Sequence, residues 1–346
     1  MARVLPGTQS VAQLRELLEA EEPTRKWLEH LDEIGDPPFG VHLPTPDGAA
    51  IEFLDLAVPH DEIDKLIWLL PEQNRTPGVW WLLGRAAHSV VRTIGQIPAP
   101  PPFPVLPRQL GELRRYFYFY VLLAVRPYTL RYHEELGIPE PISRRTLVDL
   151  GRKMSVHRKN HGKGGIDTPT WLTHHMRGQL YQLGRLQFER VNLRAPYREA
   201  LAKAGVDFGD DEVALSVHIT DFSGPLSPTA CDASFAQVKP FFDRYFPDTP
   251  ARIAVCESWM LDAQLDEYLK PHSNIMQFKN RFTPAYTPGP NNRGIQQFVF
   301  GMLDAEIDEL PQATSLERAV VSHIVSGKDW HGGAGWLDLV EQSRGH

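Results

Sequence analysis

Cysteine is scarce in this sequence: Cys231 and Cys256 are the two among 346 residues. Two thiols cannot build a disulfide framework, and their sparing use fits a reducing compartment. Long apolar runs are missing too. The longest, Tyr116–Val125 ("YFYFYVLLAV"), reaches about half of what a helix needs to cross a bilayer. The opening stretch "MARVLPGTQSVAQLRELLEAEE" has its charges too close together for the apolar centre of a signal peptide. Nor is there an excess of positive charge. Lys and Arg number 36 against 43 Asp and Glu, a net charge of −7, so the composition announces no nucleic-acid binder. The expectation is a cytoplasmic protein without a membrane span. The P-loop, the dinucleotide glycine pattern, the G-x-S-x-G elbow and H-E-x-x-H are absent as well, which removes the usual signatures of nucleotide, dinucleotide, serine-hydrolase and zinc-protease chemistry. No internal repeat is visible.

What the chain does contain is 42 % hydrophobic and 23 % charged residues, sufficient for a sizeable core, over a length that suits two domains. Thirty prolines punctuate it, and "QIPAPPPFPVLP" (Gln96–Pro107) must be an extended connector, since proline suits neither a helix interior nor an inner strand.

The first half reads as helices. Apolar spacing predicts Val11–Glu22, Asp61–Leu69, the strongly apolar Val79–Gly95, Gln109–Arg126 ending before Pro127, and Ser143–His157 with Ser143 as its N-cap. The pattern changes after "HGKGGIDTPTW". A helix is expected over Leu172–Leu183. "GRLQFERVNL" and "VALSVHIT" alternate as half-buried strands do. A helical stretch, Ser234–Phe246, follows, with Pro240 expected to divide it. Then come a strand "RIAVCESW" (Arg252–Trp259), a short helix "DAQLDEYL", strands over Ser273–Phe282 and Gly294–Leu303, and a helix followed by a glycine-rich turn at "WHGGAGWL". The fold class is α+β: a helical N-terminal domain, 1–165, then a mixed β-sheet flanked by helices, 166–346.

The segments "RLQFERV", "HITDFSGPLSPTACDASF", "FFDRYFPD", "CESWMLDAQL", "SNIMQFKNRF" and "WHGGAGWL", with "RRYFYFYVLLAVRPYTLRYHEELGIPEPISRRTLVDLGR" before them, occur in this order over about Trp27–Leu339. Together they resemble a bacterial family of acyltransferases that joins an N-acyltransferase N-terminal domain to a GNAT-like C-terminal domain. The resemblance implies an N-acyltransferase. Its acyl group would come from a thioester on coenzyme A or an acyl carrier protein and go to an amine of a peptide or small molecule, by direct attack in a ternary complex. Similar proteins serve lipopeptide and other natural-product biosynthesis. The alternative is a non-catalytic GNAT-like module that binds an acyl or pantetheine ligand or a partner protein. In GNAT proteins a loop rich in glycine and arginine, after the fourth strand, holds the cofactor phosphates. Here that position is "DFSGPLSPTACDAS", with one glycine, Gly224, and no arginine. Ile219, Thr220, Gly224, Ser227 and Ser234 are the cofactor-binding candidates. Ser227-Pro228 reads as N-cap and first helical residue, and Ser234 with Gln237 as a capping box. Either start offers amides to an anion, and an ordinary strand-to-helix loop has the same signature.

Acyl transfer to an amine needs a base for the amine proton, donors for the thioester oxygen, and a tolerated thiolate. His218 is the first candidate base. It faces away from Leu215, Val217 and Ile219 on its strand, and an ordinary imidazole titrates near working pH. A histidine satisfied within a sheet layer would look the same. Glu189 is the second candidate, to accept the proton or orient His218, or else to pair with Arg185. Ser258 and Cys256 share a strand face opposite Glu257. Ser258 is a candidate donor to the departing thiolate. Cys256 is a candidate acyl-enzyme nucleophile or a small buried side chain.

"GRKMSVHRKNHGKGG" carries Arg152, Lys153, Arg158, Lys159 and Lys163 without an acid. It would suit an acidic carrier-protein surface or coenzyme A phosphates, or simply be a solvated face. His157 and His161 have metal-ligand spacing, but with cations all round and no carboxylate nearby no metal is expected. The aromatic run Tyr116–Tyr120 and the pair Trp80–Trp81 would line an acyl tunnel or, more economically, pack a core.

Overall fold

The computed structural model describes residues 7–302 and 305–342, the side chains of 341 and 342 excepted. The chain divides into two units, Met1–Tyr181 and Gln182–His346.

The first unit is helical: α1 (Val11–Glu19), α2 (Glu22–Ile34), α3 (Pro46–Asp55), α4 (His60–Trp68), α5 (Pro77–Val91), α6 (Phe117–Leu136), α7 (Glu140–Leu147), α8 (Asp149–His161) and α9 (Pro169–Met176). Local signals start several of these. Ser10 and Gln13 form a reciprocal capping box on α1, and α2, α3, α5, α7 and α9 each carry proline in the first turn, where its missing N–H costs nothing. The run Tyr116–Val125 is buried from end to end and sits in one core with Leu82, Leu83 and Val90 of α5. It is core packing. Each such large apolar side chain stabilises the fold by roughly 1.5–3 kcal/mol. Among the described residues no helix is long and apolar enough to cross a membrane.

Three readings of this half are corrected. The expected Gln109–Arg126 helix is a 3₁₀ segment, Arg108–Arg115, broken at Gly111 and followed by α6, which continues through Pro127. Buried packing on one side of the proline and the Thr129 hydroxyl donating to the Met176 carbonyl (2.6 Å) on the other hold the helix together there. Ser143 caps nothing. It is buried inside α7, its hydroxyl 2.8 Å from His133 Nδ1, and α8 starts afresh at Asp149. Within α8, Gly151 is required by a close backbone approach: a Cβ there would lie 2.1 Å from the Ala57 carbonyl. Finally, the helix expected over Leu172–Leu183 is α9 and then a strand, β1 (Leu180–Leu183), separated by a left-handed turn at Gly178 (φ 65°).

The second unit continues with β2 (Leu186–Asn192), α10 (Ala195–Lys203), β3 (Val213–Ile219), α11 (Pro228–Tyr245), β4 (Ile253–Ser258), α12 (Asn274–Lys279), β5 (Thr283–Tyr286), α13 (Asn292–Phe300), α14 (Ser315–Val325), β6 (Gly333–Asp338) and α15 (Leu339–Gln342). The six strands form one mixed sheet in the order β1-β2-β3-β4-β6-β5. β2 and β3 are antiparallel, β3 and β4 parallel, and β4 and β6 antiparallel.

The alternating strands are where the sequence places them. α10 was not anticipated. α11 stays one helix across Pro240, with Phe235, Val238, Phe241 and Phe242 buried along it. The strands expected over Ser273–Phe282 and Gly294–Leu303 are instead the helices α12 and α13, capped by Ser273 and Asn291; Leu303 lies outside the described residues. Short apolar windows do not distinguish the two periods, and here buried Met276, Phe278, Ile295 and Phe300 sit on helices. The glycine-rich turn is also a strand, β6. Glycine is used there because a Cβ at Gly333 would meet the Leu261 carbonyl oxygen at 2.0 Å, and one at Gly335 the Phe282 Cβ at 2.7 Å.

Candidate active site

The register assigns the four catalytic candidates to two faces of the sheet. In β2–β3 the partners are Gln187↔His218 and Glu189↔Ser216, so Glu189 and His218 are diagonal neighbours on one face. His218 Nε2 lies 2.9 Å from Glu189 Oε2. Glu189 is buried, and the His218 side chain retains about a quarter of its exposure. A carboxylate accepts only, so the shared proton sits on Nε2 and the basic lone pair is that of Nδ1.

Ser216 pairs with Val255 in the parallel ladder, which places Val255 and Glu257 on the face of His218. Cys256 and Ser258 therefore lie on the opposite face, away from His218 and Glu189. Cys256 is fully buried. Burial, helped by the neighbouring Glu257 charge, pushes its thiol up to about 12, which suits a small hydrophobe rather than a nucleophile. Ser258 Oγ accepts from the Met260 amide (3.2 Å) and starts a 3₁₀ turn.

β3 and β4 pair at Leu215↔Ala254 and Ser216↔Val255, yet both strands run on, to Ile219 and Ser258. The two central strands thus part at their carboxyl ends, beside His218 on one side and Glu257 on the other. Glu257 is held by Arg194 and by the Tyr286 hydroxyl, and Arg194 also donates to Tyr286 (2.7 Å). Burial first, then the bond to Glu257, pushes the Tyr286 phenol up to about 12. This acid–base cluster was not among the expected residues. Beyond β4 lies a cleft of about 160 Å³ lined by Glu257, Ser258, Trp259, Asp262, Trp330 and His331. Buried Asp262 shapes it by accepting from the amides of Gln264, His331 and Gly332 at 2.9–3.1 Å.

After β3 the chain turns through two left-handed residues, Phe222 (φ 52°) and Gly224 (φ 77°), and enters α11. Ser227 is its N-cap, accepting from the Ala230 amide (3.3 Å). Ser234 is not a cap but lies inside α11. Its hydroxyl accepts from the Arg185 and Leu186 amides (2.8 and 3.3 Å) and donates to the Ala230 carbonyl (3.0 Å), which uses its hydrogen-bonding capacity. The arginine that the loop lacks comes from the β1–β2 turn. Arg185 donates to the carbonyls of Gly224 (2.9 Å) and Thr220 (3.1 Å), and to the Thr220 hydroxyl (3.3 Å). Ile219 is the last residue of β3, directly before this anchor. A second guanidinium, Arg281, pairs with Asp232 (2.6 Å) and donates to the Pro228 carbonyl (3.2 Å) at the first turn of α11. A linear scan of the loop finds neither arginine, because both arrive from other segments.

In the first unit, Arg158 of the basic run pairs with Asp61 and Glu62 (2.9 and 2.6 Å). The carboxylate not recognised beside the histidines is Asp167, 2.9 Å from His161 Nε2.

A helical unit followed by a mixed sheet with two parallel central strands that part at a histidine–carboxylate pair defines a GNAT-like acyl-transfer scaffold. The sequence matches the GNAT-like C-terminal domain over residues 180–337 and the N-acyltransferase N-terminal domain over 49–178. Among solved structures, the chain resembles an acyltransferase mutant in complex with octanoyl-CoA (39 % identity, TM-score 0.86, 95 % of this chain and 99 % of the other). It also resembles an acyltransferase in complex with CoA and 10C-teicoplanin (38 %, 0.85, 96 % and 100 %) and one with decanoyl-CoA (35 %, 0.86, 95 % and 99 %). No curated protein matches. The chain belongs to the acyltransferase family that combines these two domains, and it is an acyltransferase.

Proposed function

We propose that the protein transfers a medium-length acyl group from acyl-CoA to an amine of a teicoplanin-like natural product, by direct attack in a ternary complex. The observation that carries this reading is the His218–Glu189 pair at the parting of β3 and β4. The thioester arm occupies that parting, where main-chain groups beyond the last ladder pair are available to its amides and carbonyl oxygen. His218 Nδ1 takes the proton of the attacking amine. The new C–N bond forms, the C–S bond breaks, and the proton passes from His218 to the thiolate. Glu189 orients the ring and stabilises its cationic form. The coenzyme phosphates rest at the loop from Thr220 to Ser227 and the first turn of α11, near Arg185 and Arg281. Ser258 acts as a cap and Cys256 as a packing residue.

The choice of coenzyme A over an acyl carrier protein is supported by this loop, and the choice of acceptor by the similar enzymes that bind teicoplanin. Two buried free thiols are consistent with a cytoplasmic enzyme. The test is mass-resolved product analysis with acyl-CoAs of increasing length, a glycopeptide bearing a free amine, and the same scaffold with that amine blocked. An amide product from the free amine alone supports the reading. Turnover only with acyl carrier protein, or acylation of the blocked scaffold, overturns it in donor or acceptor.

A further inference from the structure

The end of α8 and the loop after it assemble a group that the acyl-transfer chemistry does not use. His157 and His161 lie one helical turn apart, with ring centroids 4.5 Å apart. The helix ends at Gly162 in the left-handed conformation (φ 61°), and the chain turns back to bring Asp167 against both rings. Asp167 Oδ1 is 2.9 Å from His161 Nε2 and 3.6 Å from His157 Nε2, and the three ligand atoms all lie within 4.8 Å of one another.

We propose that His157 Nε2, His161 Nε2 and the Asp167 carboxylate form a binding site for a zinc-class divalent cation, with solvent completing the coordination. Three observations point there. The first is spacing. Tetrahedral bonds of about 2.0–2.1 Å put neighbouring ligand atoms roughly 3.3 Å apart, which the present separations bracket. The second is the orienting contact behind the ligand. His157 Nδ1 lies 2.9 Å from the Lys163 carbonyl oxygen, which only accepts, so the ring proton sits on Nδ1 and Nε2 presents its lone pair. The third is room. A Cβ at Gly165 would stand 2.7 Å from His157 Nε2, so glycine there keeps the approach to that nitrogen open. The loop is fixed on its other side by Arg115 Nε donating to the Gly164 carbonyl (2.9 Å).

Two imidazoles and one carboxylate favour zinc, cobalt or nickel over magnesium or calcium. The surrounding cations work against affinity, but Arg158 and Arg115 are already engaged with Asp61, Glu62 and Glu112. A bound ion would tie the end of α8 to the segment leading into α9, a structural role.

The test is titration of tag-free, chelator-treated full-length protein with Co²⁺, read by visible absorption and calorimetry, followed by displacement with Zn²⁺. One Co²⁺ per chain with the intense absorption of four- or five-coordinate cobalt is expected, together with a thermal midpoint that rises with Zn²⁺. His161→Ala and Asp167→Asn, both at exposed positions and checked for folding by circular dichroism, should each weaken binding by about tenfold or more. His174→Ala, outside the trio, should leave it unchanged. Absence of saturable one-to-one binding, or equal binding by the two ligand variants, overturns the proposal. Acyl transfer is not the readout, so this result is independent of the function proposed above.

Discussion

His218 and Glu189 meet across the β2–β3 pair at 2.9 Å, two register positions apart on one face of the sheet. If this pair moves the amine proton, His218→Ala lowers kcat by about 10²–10⁴-fold. Glu189→Gln keeps the shape but loses the charge, and it should cost less. Acyl-CoA affinity, measured by calorimetry, should stay near wild type in both. A His218→Ala enzyme with unchanged kcat would remove the histidine from the mechanism.

Cys256 offers the converse test. A thiol pushed up to about 12 by burial carries little thiolate at neutral pH. Cys256→Ala should keep turnover within a few-fold, and intact-mass spectra of the wild type with acyl-CoA should show no covalent adduct. An acyl adduct that disappears in the variant would establish a covalent route.

Arg185 supports the loop through three donated bonds to Thr220 and Gly224. Charge-assisted bonds are worth roughly 1.5–3 kcal/mol, so Arg185→Ala should weaken acyl-CoA binding by about tenfold or more. An acyl-pantetheine donor without the nucleotide should be affected much less. Equal losses for both donors would mean that the arginine does not serve a phosphate site.

The buried pair Asp149–His175 (3.2 Å) makes the first unit sensitive to acid. Burial alone would push the Asp149 carboxyl up. The hydrogen bond and charge of His175, with Lys153 and Arg152 nearby, outweigh it and bring the carboxyl down to about 2. A carboxyl lowered by folding stabilises above its unfolded value, near 4, and loses that contribution as pH falls through about 2. Urea midpoints should therefore fall more steeply between about pH 4 and pH 2 in the wild type than in Asp149→Asn. His175→Ala leaves the carboxylate buried without its partner and should cost about 3–5 kcal/mol at neutral pH.

Gly151 tests packing alone. Its missing Cβ makes room for the backbone of Ala57. Gly151→Ala would gain helix propensity on an exposed helix, but here it should destabilise by about 1–3 kcal/mol or more. Thermal unfolding decides the sign.

Local pattern was enough for β2 and β3, whose alternation assigns each side chain a face, for β4, for the start of α1 through its apolar spacing, and for the family, through segments in fixed order. It also singled out His218 and Glu189, because polar residues on half-buried strands stand out. Alternation says nothing, however, about which face of one strand joins which face of the next. Only the register between β3 and β4 put Glu257 on the histidine's face of the sheet and turned Cys256 and Ser258 to the other side. Short apolar windows such as Ser273–Phe282 fit either period, and the burial of Met276 and Phe278 settled them as helix. Arg185 and Arg281 reach the loop from distant turns, and Asp167 folds back on His157 and His161 only because Gly162 reverses the chain. A sequence determines its periods and caps, since these are properties of neighbours along the chain. Contacts between separate segments depend on how the units bury their apolar faces, and the tertiary structure alone decides them.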